Sequence, residues 1–161
     1  MKQTILLLVV IQFFSCSNQS HQLQLLQQHT DSLQQQLNNT YKPGFGEFMS
    51  SIQVHHNKLW FAGLNNNWKL ADFEVHEIME TLDDIKNYQS GRKESRELSM
   101  LLPALDTVNN AIQQKNWGQF KSAYLLLTNT CNQCHKANDF EYNVIKIPDN
   151  PPFSNQDFAT H

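Results

Sequence analysis

The chain has 161 residues, with 12 Lys and Arg against 15 Asp and Glu and a net charge of −3. Mild acidity without a basic run gives nucleic acid no electrostatic footprint, and three cysteines are too few for a disulfide-stapled scaffold. No Ser/His/Asp order, Gly-rich phosphate loop or close pair of carboxylates stands out, so the chain reads as a non-enzyme.

Met1-Lys2 and the apolar run from Ile5 to Ile11 have the form of a secretory signal, too short for a permanent bilayer span. The run ends at Phe13-Phe14-Ser15-Cys16. A small residue followed by Cys resembles a bacterial lipobox, with Phe14 a departure two positions before the cut. Residues 1–15 are therefore predicted to be a signal peptide, with Cys16 lipidated. The product is an exported lipoprotein, periplasm-facing or in the outer membrane, that meets the membrane through its lipid alone. Residues 16–44 hold the anchor site and a Gln-rich spacer helix. Eight Gln accompany Leu23, Leu26, Leu33 and Leu37 there, and Thr30 fills the remaining slot of a three-four rhythm. So short a stripe with uncharged flanks fits a spacer packed loosely on the domain better than a coiled coil, and leaves a homodimer open.

Tyr41-Lys-Pro-Gly-Phe-Gly46 breaks that pattern and starts the domain, 45–140. A first helix is expected from about Glu47 to Leu64, ending at Asn65-Asn66-Asn67. The second opens with Asn67 as its cap before Trp68 and runs to about Tyr88. Ala71, Val75, Ile78, Leu82 and Ile85 form its apolar stripe, opposite a solvated acidic face of Asp72, Glu74, Glu77, Glu80, Asp83 and Asp84. The third, about Glu94 to Lys115, is interrupted by Pro103, which kinks or divides it. Asn116-Trp-Gly-Gln119 is an Asn-led relative of the capping box and launches the fourth. Phe120, Tyr124, Leu127, Cys131 and His135 follow one another along one side of it. No strand-length alternation precedes Tyr142, and the proline-bearing tail, 141–161, reads as extended, wrapping the domain or capping the site.

Cys131-Asn-Gln-Cys134-His135 carries the chemistry, because Cys-x-x-Cys-His is the c-type haem attachment pattern. The cysteines become thioethers on one covalent haem c and His135 its proximal iron ligand. A redox dithiol or half of a zinc site uses the same Cys spacing, but zinc needs a second ligand pair and no other Cys follows the leader. Across the haem, Met49 and His56 share a helix face two turns apart, roughly 10 Å at 1.5 Å per residue. Only one of them can stand over the iron. A His/Met haem would have a raised potential suited to electron transfer, while Met as core filler is the ordinary alternative. His56 has the further option of a propionate bond, and His55 points elsewhere, toward solvent. Lys58 is a candidate propionate partner, and Trp60 and Tyr124 are candidates for the haem pocket, although Trp60, Trp68, Trp117 and Phe120 also suit a core.

Four helices with the haem motif near the end of the last resemble the cytochrome c prime family and its low-spin relatives. Residues 45–65 are similar to that family's first helix, where an apolar residue faces the iron and an Ala-Gly pair ends the helix. The match puts Met49 at the distal position. A narrower resemblance joins Gln53, His56, Leu59, Trp60, Ala62, Gly63, Asn67 and Trp68 to bacterial haem proteins with a Pro-rich tail. Together these imply an all-α four-helix bundle that transfers electrons to a redox partner protein in the cell envelope. They depart in length: the family usually ends soon after the haem His, and here 26 residues follow, Lys136 to His161. Two alternatives stay open, a five-coordinate haem protein that binds NO or CO, and a haem-bearing docking subunit of a redox complex.

Overall fold

A computed structural model describes residues 2–160, with side chains at 19–37 and 39–160. The lipid site expected at Cys16 lies outside the described side chains. The chain divides into two units, Met1–Lys42 and Pro43–His161. The first is one continuous helix, α1 (Lys2–Asn38), on which Leu23, Leu26, Leu33 and Leu37 are exposed. Among the described residues no helix is long and apolar enough to cross a membrane.

The second unit is all-helical, and its boundaries follow local hydrogen-bonding demands. Helix α2 (Phe45–Leu64) starts two residues before its expected position, because the Glu47 carboxylate reaches back to accept the Gly44 N–H at 2.7 Å. Helix α3 (Trp68–Tyr88) is capped by Asn67, whose Oδ1 accepts from the Leu70 N–H at 3.2 Å. The expected third helix is divided. A short α4 (Lys93–Glu97) passes through a 3₁₀ turn, Leu98–Leu101, into α5 (Leu102–Gln113). Pro103 sits in the first turn of α5, where its missing N–H costs no helical bond. Helix α6 (Trp117–Ala137) is capped by Asn116, which accepts from the Gln119 N–H at 3.0 Å. Just after α2, α5 and α6 the chain turns left-handed at Asn66, Lys115 and Asp139, with φ of 55°, 52° and 66°.

Helices α2 and α3, α3 and α5, α5 and α6, and α6 and α2 pack in turn. The stripe Ala71, Val75, Ile78, Leu82 and Ile85 is buried, together with Leu105, Val108 and Ile112 of α5 and Phe120, Tyr124 and Leu127 of α6. The acidic face of α3 departs from expectation at Glu74, which is 0% exposed. His55, expected in solvent, turns inward to meet it: Nδ1 lies 2.6 Å from Glu74 Oε2. Lys58 Nζ lies 3.6 Å from the other carboxylate oxygen. A buried carboxylate needs such partners, and both come from α2.

Helices α2 and α6 run antiparallel, with Gly63 against Phe120 at one end. A Cβ on Gly63 would fall 2.1 Å from the Phe120 ring, so this contact admits no side chain. Trp60, Trp68, Trp117 and Tyr124 crowd round it. The tail has neither helix nor strand after α6 and wraps back along α2. Asn57 donates to the Asn150 carbonyl at 3.3 Å, Phe158 is buried against Phe61, and Asn67 donates to the carbonyls of Phe158 and Ala159.

Candidate functional site

At the other end of the α2–α6 pair lies a largely apolar cleft of about 430 Å³. Helix α2 contributes Phe45, Met49, Ile52, Gln53 and His56, residues three and four apart that fall on one helical face. Helix α6 contributes Cys131, Cys134 and His135 by the same spacing, and its C-cap Asn138 joins them. Arg92, Glu94, Leu98 and Leu101 form a further side, and Phe140, Asn143 and Ile145 of the tail complete it. The motif on α6 and Met49 on α2 thus line one cleft.

His135 has a defined tautomer. Its Nδ1 lies 2.6 Å from the Asn143 carbonyl, which can only accept. Nδ1 therefore bears the hydrogen, and Nε2 of the neutral ring keeps a lone pair. The thiols of Cys131 and Cys134 are free. Burial pushes Cys131 up to about 12, with Cys134 beside it as the second cause. Burial also raises Cys134, helped by Glu97 and opposed by the Asn138 amide, which donates to Sγ at 3.7 Å. Redox dithiols and zinc pairs react as thiolates, the form that burial disfavours at both cysteines. Among the described residues no three His, Cys, Asp or Glu cluster in a way that could hold a metal ion.

His56 is 4% exposed, with both ring nitrogens engaged. Nε2 lies 3.0 Å from Thr128 Oγ1 and Nδ1 lies 2.9 Å from the Tyr124 hydroxyl. Thr128 gives its own hydrogen to the Tyr124 carbonyl, so the imidazole must donate to it through Nε2–H. Nδ1 then accepts from Tyr124, which shares its hydrogen with the His56 carbonyl. Neither nitrogen keeps a lone pair for iron. Burial lowers the His56 pKa to about 4 and raises that of Tyr124.

The remaining pocket candidates stand elsewhere. Lys58 is drawn to Glu74 and lies 5.7 Å over the ring of Phe153, away from the cleft lining. Trp60 packs on Trp117 and Tyr124 in the core, and Tyr124 is fully buried behind His56. The cation that does line the cleft is Arg92, which no sequence motif singles out. Its guanidinium donates to Glu94 at 2.7 and 3.3 Å and covers the Phe45 ring at 5.0 Å. That hydrogen bonding holds the Glu94 carboxyl below its usual range. Arg92 follows Gly91 in a connection without periodicity, so its only sequence signal is that of a basic residue after a turn. No family model matches the chain, and neither a curated protein nor a solved structure matches it significantly.

Proposed function

We propose that the protein is a lipid-anchored monohaem c-type cytochrome of the cell envelope. It is folded as a cytochrome c prime-like four-helix bundle and exchanges electrons with a redox partner protein. One observation carries the reading: two unpaired thiols and an imidazole with Nε2 available line the same apolar cleft. This donor set fits a covalent haem. Cys131 and Cys134 would form the thioethers, His135 Nε2 the proximal bond, and Met49 the distal one. When bound, the haem supplies a one-electron iron couple whose potential is raised by His/Met ligation.

The chain's own residues prepare the rest. Phe45, Ile52, Leu98 and Leu101 give the cleft apolar walls, which would strengthen electrostatic interactions there once water is displaced. Arg92, paired with Glu94 and lying over the Phe45 ring, would offer its remaining donors to a propionate. His56, tied to Thr128 and Tyr124, serves as a hydrogen-bonded wall.

A pyridine haemochrome spectrum of protein matured with c-type assembly machinery tests the proposal. The expected spectrum is that of one haem with two thioethers, and the native reduced protein should be low-spin and indifferent to CO. Met49→Leu should abolish the near-infrared band of Met-to-iron ligation and lower the potential. A b-type spectrum or absence of haem overturns the reading. Rapid formation of a stable CO complex would replace electron transfer with gas binding.

A further inference from the structure

Asn132 fills the first variable position of the Cys-x-x-Cys-His motif, and its side chain faces the tail. Its Nδ2 donates to the Ile145 carbonyl at 2.8 Å, and the Ile145 N–H donates to its Oδ1, also at 2.8 Å. One primary amide thus satisfies both backbone groups of one residue, as a neighbouring strand would. One helical turn further on, His135 Nδ1–H donates to the Asn143 carbonyl. The two anchors stand about 4.5 Å apart along the helix axis, and their partners, two residues apart, about 6.6 Å along extended chain. The tail segment 143–145 is therefore paired antiparallel to the last turns of α6, in a register set by two side chains of the motif itself.

From this juxtaposition we infer that Asn132 is a positioning residue for the proximal imidazole. It fixes the register of Ile145, and that register places the Asn143 carbonyl on His135 Nδ1. The inference rests on the reading of His135 as an iron ligand. A ligand imidazole whose second N–H is bound to a carbonyl is oriented and made more basic, which favours oxidised iron. The tail approaches through a turn closed by Asn143 N–H on the Phe140 carbonyl at 2.9 Å, and Tyr142, Asn143 and Val144 of that approach are exposed. Asn132 closes the far end of the segment, where the chain would otherwise be free to trade the Nδ1 bond for water.

The test compares wild type, Asn132→Ala, Asn132→Asp and Gln133→Ala as full chains, by amide hydrogen exchange and by potentiometric titration of the haem. Asn132→Asp keeps the acceptor for Ile145 N–H and loses the donor. In Asn132→Ala, protection of the Ile145 amide should disappear while that of α6 persists. The reduction potential should move positive by a shift on the order of tenfold in the one-electron equilibrium, about 59 mV. Asn132→Asp should fall between in Ile145 protection, and Gln133→Ala should match wild type in both readouts. Haem attached with Ile145 protection or potential unchanged in Asn132→Ala overturns the inference and leaves the proposed function standing, because the turn alone then positions the carbonyl. Wild-type protein without covalent haem overturns both. The exchange arm reads the clamp in protein without haem as well.

Discussion

His56 is a buried imidazole whose two nitrogens are spoken for, and this gives the protein a specific acid sensitivity. Its pKa lies at about 4 in the fold against 6.5 for a free side chain, because burial disfavours the charged ring. Between these values the unfolded chain binds a proton that the folded chain refuses, so stability falls as pH falls through that window. Above pH 6.5 both states are neutral and the group contributes no slope, and below about 4 both are charged and the loss is complete. The gap corresponds to about 3 kcal/mol at 1.36 kcal/mol per unit. Urea denaturation from pH 8 to pH 4 should show that loss in wild type and a flatter profile in His56→Gln, which cannot titrate. Parallel profiles would refute the assignment. The same hydrogen bonds explain why His56, placed on the Met49 face by spacing alone, does not present a free nitrogen to the cleft: Tyr124 and Thr128, 68 and 72 residues away in sequence, claim both.

Helices α2 and α6 meet through a residue with no side chain, and their spacing depends on it. Gly63→Ala would drive a methyl into Phe120, which is 0% exposed and enclosed by Trp68, Trp117 and Tyr124. Overpacking of this kind costs about 1–3 kcal/mol, and the lowered Tm should come with altered near-UV signals of the tryptophans. An unchanged Tm would mean that the ring has room to move. The family resemblance places a helix end at Ala62-Gly63, and α2 closes one residue later at Leu64, with Asn66 making the left-handed turn. Features set by nearest neighbours are legible in the sequence: the Asn67 and Asn116 caps, the division at Pro103 and the α3 stripe all depend on bonds or periodicity within a few residues. Glu74 is not legible in this way. Its i, i+3 acidic neighbours read as a solvated face, and its burial depends on His55 and Lys58 arriving from another helix. Arg92 escapes sequence reasoning for the same reason, since a connection reveals its destination only once the helices around it are placed.

In the second unit as a whole, the region that gathers the motif is also the region that opens into the cleft. The Gly63 end of α2 is held by Phe120, by the His56–Tyr124–Thr128 bonds and by the tail residues Phe158 and Ala159. The Phe45–Gln53 half lines the cleft with Phe45, Met49 and Ile52, and Phe48 stacks on Tyr88 beside it. Local stability follows local apolar contact, so the proposed haem, once bound, would add apolar contact to that half. A Cys131→Ser/Cys134→Ser variant, which cannot form the thioethers, should retain amide protection in α3, α5 and the Gly63 half of α2. It should lose protection across residues 46–53, and the holoprotein should restore it. Uniform protection along α2, or earlier opening at the Gly63 end, would show that the cleft is stable unfilled. In that case the proposed haem would add nothing to the stability of the fold.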